Sequence, residues 1–150
     1  MPVAASNICS VVSNVNASMI RTEQDGTMSF GKYKLGQKSK KSDFEYQGDI
    51  YKVKTYNEIT KLERNEMFVY ESVPGTVAEH FKVTDDSIEF EVEGDKDAQI
   101  TVQLENDTDY EVYVDGAAVG SMKTNMSGKL SVSVELEEGT SVKVKAVKRA

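Results

Sequence analysis

The residues able to do chemistry in this chain are few in kind. There is one histidine, His80, one cysteine, Cys9, and no tryptophan. Nucleophilic catalysis needs a base beside its nucleophile, and the run Thr76 to Thr84 around His80 contains neither Ser nor Cys. One His and one distant Cys cannot fill a tetrahedral metal shell. The three arginines, Arg21, Arg64 and Arg149, are widely separated. Carboxylates are plentiful: Asp85, Asp86, Glu89, Glu91, Glu93, Asp95 and Asp97 fall within thirteen residues. Paired carboxylates hydrolyse glycosides, and oxygen-rich loops hold Ca²⁺. Yet Glu89, Glu91 and Glu93 alternate with Ile88, Phe90 and Val92, which places them on the wet face of one strand. The loops at 94–97 and 106–109 lack the ligand spacing of a calcium loop, and no glycine-rich phosphate cradle is present. The residues predict no catalytic site, no metal and no cofactor.

What remains is binding. Sandwich proteins that hold carbohydrate present aromatic platforms, and Tyr51 and Tyr56 are the candidates here, with a glycan as the ligand. The competing reading is that these rings cover the core as cross-strand pairs.

Strands must position such residues. Ile100, Val102 and Leu104 alternate with Thr101 and Gln103, and Tyr110, Val112 and Val114 alternate with Glu111 and Tyr113, the two-residue period of half-buried strands. From Thr76 onward, short strands recur every ten to twelve residues, as in a sandwich. Asp85-Asp86, Gly94-Asp95, Asn106-Asp107, Asp115-Gly116, Asn125 to Gly128 and Glu138-Gly139 supply the turns. Before that, Asp25-Gly26 and Gln47-Gly48-Asp49 predict hairpins, and Glu63 to Glu66 a looser one. Gly36 to Ser42 reads as a basic loop, and Val73-Pro74-Gly75 as a type II turn. The spacing of Leu104, Thr108 and Tyr110 resembles the corner of immunoglobulin-like and fibronectin type III sandwiches, where a Tyr hydroxyl bonds back to nearby backbone. The fold class expected is all-β: an immunoglobulin-like antiparallel sandwich over 66–150, a small β-hairpin annex over 20–65, and an extended N-terminal arm over 1–19.

A chain of 150 residues buries enough surface to need no disulfide. Its formal charge is −7, distributed as +3 over residues 1–65 and −10 over 66–150. An acidic chain repels phosphate backbones, which argues against nucleic acid. Opposed halves attract one another between copies, or simply solvate strand faces. No run of 18 apolar residues is present, so no membrane insertion is expected.

Residues 1–20 carry no charged side chain. Ser and Asn interrupt Val and Ile too often for a secretory signal, so synthesis in the cytoplasm is expected, with assembly at the cell surface or outside left open. Uncharged, β-prone segments pair with strand edges. Ile8, Val11, Val12 and Val15 are therefore the expected self-association residues. The arm lies along its own sheet or completes a neighbour's by strand addition, the latter giving a homo-oligomer or polymer, including filaments.

The runs IYKVKTYNEITKLERNEMFVYESVPGTVAEHF, DAQITVQLENDTDYEVYVDG and GKLSVSVELEEG resemble small bacterial β-rich proteins labelled endosialidase-like. The likeness spans roughly residues 20–148. It implies a compact β-rich protein in a glycan-related setting, a glycan-binding or endosialidase-associated accessory protein, and carries over no catalytic residue.

Overall fold

A computed structural model describes residues 19–149. It contains thirteen strands and, among the described residues, no helix. They are β1 (Ile20–Thr22), β2 (Met28–Phe30), β3 (Ser39–Tyr46), β4 (Asp49–Tyr56), β5 (Ile59–Arg64), β6 (Met67–Val73), β7 (Val77–Val83), β8 (Ser87–Glu93), β9 (Ala98–Gln103), β10 (Asp109–Val114), β11 (Ala117–Lys123), β12 (Lys129–Val134) and β13 (Ser141–Lys148). All pairings are antiparallel, and the strands form two sheets. Sheet 1 has seven strands in the order β1-β2-β7-β8-β13-β10-β11; sheet 2 has six, β12-β9-β6-β5-β4-β3. The architecture is thus all-β and consistent with a β-sandwich.

Alternation explains which side chains meet between the sheets. Leu130, Val132 and Val134 of β12 are buried against Val102, Ile100 and Ala98 of β9, while Lys129, Ser131 and Ser133 are exposed. Ile88, Phe90 and Val92 are buried on β8, as the two-residue period requires. Phe30, Tyr70, Phe81 and Phe90 form the centre, with Phe30 and Tyr70 edge-to-face at 5.0 Å and Tyr70 and Phe90 at 5.6 Å, the arrangement ring quadrupoles favour. A buried polar chain runs beside them. The Tyr70 and Thr76 hydroxyls are 2.8 Å apart, Ser72 and Thr76 2.7 Å, and Thr55 and Thr60 2.8 Å. The Thr76 amide donates to Thr60 Oγ1 at 3.1 Å, closing the chain. No buried side-chain polar atom among the described residues lacks a partner, as burial of polar groups demands.

Several local expectations change. Residues 39–42 are not loop but the start of β3, because pairing of Ser39, Lys40 and Lys41 with Thr55, Lys54 and Val53 overrides their polar composition. The β5–β6 connection is tight rather than loose: only Asn65 and Glu66 intervene, both at positive φ (51° and 68°), as a two-residue hairpin turn requires. Val73–Pro74 is a cis peptide bond and Gly75 is not at positive φ, so the corner is not type II. Gly75 is needed for space instead, since a Cβ there would collide with the Tyr56 carbonyl oxygen.

The segments 20–65 and 66–150 share both sheets. β2 pairs with β7 and β5 with β6, and one apolar cluster spans Ile20 to Ala146. Of the N-terminal arm, only Met19 is described; it is fully buried, and its carbonyl accepts a 2.9 Å bond from the Gly31 amide. Ile8, Val11, Val12 and Val15 lie outside the described residues.

Candidate functional site

His80 stands exposed at a bulge in β7, at φ +52°. Its Nδ1 lies 3.2 Å from Asp25 Oδ2 and 3.3 Å from Thr27 Oγ1, and Thr27 Oγ1 donates to Asp25 Oδ1 at 2.6 Å. A relay needs acid and nucleophile on opposite ring nitrogens; here both partners share one. The group instead braces the β1–β2 turn, and the Thr27 hydroxyl holds the Asp25 carboxyl below its ordinary range. Glu89 and Glu91 face Lys145 and Lys143 across β13, with Lys145 Nζ 3.9 Å from Glu89. Among the described residues, no group of three His, Cys, Asp or Glu is arranged to hold a metal ion.

Tyr51 and Tyr56 do not share a platform. They are five residues apart on β4 and so point to opposite faces. Tyr51 is half-buried against the core, and burial raises the pKa of its hydroxyl while Arg64 opposes that rise. It also borders a hollow of ≈ 460 Å³ at the β3 bulge, whose rim carries Asp43, Glu63 and Glu66. Tyr56 is on the outer face, its hydroxyl donating to Glu58 and its ring 5.9 Å from Lys38 Nζ.

At the corner, the chain crosses from β9 in sheet 2 to β10 in sheet 1. Tyr110 is buried, and its hydroxyl accepts a 3.2 Å bond from the Glu105 amide. The Leu104 amide donates to the Gly128 carbonyl at 2.7 Å, and the Thr108 amide to Thr124 Oγ1 at 2.9 Å. These residues fix a crossing and present no reactive group.

Two other features stand out. The first is the sheet margins, where unpaired backbone groups invite another strand unless blocked by shortness, lysine or a bulge. β1 has three residues. β3 carries Lys40 and Lys41 and a bulge between Lys41 and Phe44. β11 is bulged at Val119, between the Val112–Gly120 and Tyr113–Ala118 pairs. β12 is longer than β1 and unbulged: six residues in unbroken register with β9, its one lysine, Lys129, at the first position, no charge from Leu130 to Val134, and no other strand neighbour among the described residues. Sheet 2 has one strand fewer than sheet 1, and no residue of β11 is buried. β1, where residues 1–19 enter, is at the end of sheet 1 opposite β11.

The second is a lysine row. Lys40, Lys54 and Lys61 are register partners across β3, β4 and β5. Val53, Thr55, Thr60 and Leu62 are buried on these strands, so the intervening lysines face out. Lys52 extends the group along β4, and Lys38 adjoins it beside Tyr56. Partial burial, followed by the ammonium groups of Lys38, Lys40, Lys61 and Lys52, pushes the pKa of Lys54 down. Composition signalled none of this, since these lysines are spread over 24 positions of sequence.

No protein-family model matches the chain, and comparison with curated proteins and with solved structures finds no match either.

Proposed function

We propose that this chain is a non-enzymatic structural module that self-associates by strand addition, the uncharged N-terminal arm of one copy pairing with β12 of the next. The observation that carries this reading is that, among the described residues, β12 alone of the four marginal strands is neither as short as three residues nor bulged, and it is uncharged from Leu130 to Val134. Ile8, Val11, Val12 and Val15 supply the β-prone side chains of the donor. Because β1 is a margin of sheet 1 and β12 a margin of sheet 2, donor and acceptor are different surfaces, and such heterologous contacts build open polymers or rings. The buried Tyr110 hydroxyl at the sheet crossing supports an immunoglobulin-like relation for residues 66–150.

Light scattering tests the assembly reading on the full chain, on a chain lacking residues 1–18, and on Ser131→Lys/Ser133→Lys, which puts lysine on the outer face of β12. The full chain is expected to exceed the 16.6 kDa monomer mass, and both variants to return to it. A full chain that stays monomeric at all concentrations would defeat the reading.

A second reading, a glycan-binding accessory protein, is favoured by one observation: Tyr56 presents its ring on the outer face of sheet 2 beside Lys38. The resemblance to endosialidase-like proteins supports the same setting.

A further inference from the structure

We infer that the outer face of β3, β4 and β5 docks on the acidic loop end of a second copy, the loops 94–97 and 135–140, as a salt-sensitive contact beside the added strand. This rests on the self-association reading and names the surfaces that set its affinity and direction. Lys40, Lys54 and Lys61 stand abreast on neighbouring strands; at a strand spacing of about 4.8 Å they span about 10 Å. Like charges directly opposite in a sheet are destabilising, so the fold gains nothing from this register, and a broken local rule without structural return marks a functional position. Among the described residues, no carboxylate oxygen lies within 4.0 Å of the Lys40, Lys52 or Lys54 ammonium groups.

The complementary charge lies on two adjoining loops. The Leu136 amide donates to Asp97 Oδ1 at 3.0 Å, which holds the β8–β9 and β12–β13 loops together. Asp95, Asp97, Glu135, Glu137 and Glu138 are exposed there, against one cation within the loops, Lys96, and one from outside, Lys34, 2.9 Å from Glu138. Both surfaces lie where an arm-to-β12 contact needs them. β12 runs directly into Glu135, so a strand added to β12 passes these carboxylates. The Tyr46 hydroxyl of β3 donates to the Gly26 carbonyl in the β1–β2 turn at 3.1 Å, so the lysine strands and the strand that follows the arm belong to one side of the sandwich. Once an arm tethers two copies, the second contact is effectively intramolecular, and ion pairs that are weak singly suffice. A free acidic partner lacks that tether. Duplex DNA carries a charge about every 1.7 Å, which a protein of net charge −7 repels. A lipid surface calls for apolar side chains inserted beside the cations, whereas Lys52, Glu63 and Glu71 flank this row.

The test follows, by light scattering, the concentration at which half of the full chain is assembled, at low salt and in about 1 M salt, where the screening length falls to about 3 Å. Residues 1–20 carry no charge, so strand addition by itself is indifferent to screening. With the lysine contact in place, that concentration is expected to rise about tenfold in salt, and Lys40→Gln/Lys54→Gln/Lys61→Gln to raise it about as much at low salt. The unfolding temperature of this variant is expected to be unchanged or raised, because removing mutual repulsion leaves the sheet intact. Lys40→Glu/Lys54→Glu/Lys61→Glu is expected to weaken assembly further. Adding Asp95→Lys/Glu135→Lys/Glu137→Lys to it is expected to restore assembly, a rescue that no folding defect produces. Reversed lysines that the reversed acids fail to rescue would overturn the inference. A full chain that assembles only with residues 1–18 present, yet is indifferent to salt and to every lysine substitution, would overturn it while sparing strand addition. A full chain that stays monomeric at all concentrations would remove both.

Discussion

Lys54 is the cross-strand partner of Lys61, and no carboxylate oxygen lies within 4.0 Å of the Lys54 ammonium among the described residues. Lys40 opposes it from the other side, so the middle lysine sits between two like charges. Such contacts cost a few tenths to 1 kcal/mol in a sheet. Lys54→Gln is therefore expected to stabilise the fold by about 0.5 kcal/mol at low salt, read as a rise in thermal unfolding temperature. The gain should shrink as salt screens the charges; a loss of stability would show that the lysine stem packs more than its charge repels.

Tyr70 supplies an alkaline limit. It is fully buried, and burial pushes its phenol up to about 12, against the smaller opposing effect of hydrogen bonds from Thr76 and Ser72. The folded state thus keeps a proton that the unfolded chain releases near pH 10. Its contribution is complete below about pH 10 and is lost as pH rises through about 12, on the order of 2 kcal/mol. Urea unfolding across that interval is expected to show declining stability. Tyr70→Phe should start about 1 kcal/mol lower at neutral pH, having lost a buried hydrogen bond, and should decline less.

Gly75 tests the corner after β6. Its amide donates to the Asn57 carbonyl at 3.1 Å, and its α-carbon sits against the Tyr56 carbonyl oxygen. In Gly75→Ala the methyl has only backbone to push against, so the β4–β5 turn must move. A loss of about 1–3 kcal/mol in urea unfolding is expected. Gly48→Ala is the contrast: no atom lies within 4 Å of its added Cβ, and only its positive φ of 84° opposes the change, so about 1 kcal/mol should be lost.

Most strands were legible from local chemistry. Ile88, Phe90 and Val92, and likewise Leu130, Val132 and Val134, announce their buried face because side chains alternate along any strand. Asp25-Gly26 and Gln47-Gly48 mark their hairpins because Gly26 and Gly48 accept positive φ. The tight Asn65-Glu66 turn was missed, since Glu at positive φ is uncommon and the two-residue geometry overrides its preference. Residues 39–42 were missed because lysine and serine discourage strands until a partner is present.

By itself, the sequence determined the all-β class, the placement of most turns, the wet position of Glu89, Glu91 and Glu93, and the chargeless character of residues 1–20, because these depend on neighbours along the chain. Tertiary structure alone decided that β12 is a margin in unbroken register with β9, and that Lys40, Lys54 and Lys61 stand abreast. Those relations depend on turn lengths, a bulge between Lys41 and Phe44, and the order in which strands add to a sheet. Register is a property of pairs of strands, and a one-residue slip would send each lysine to the opposite face.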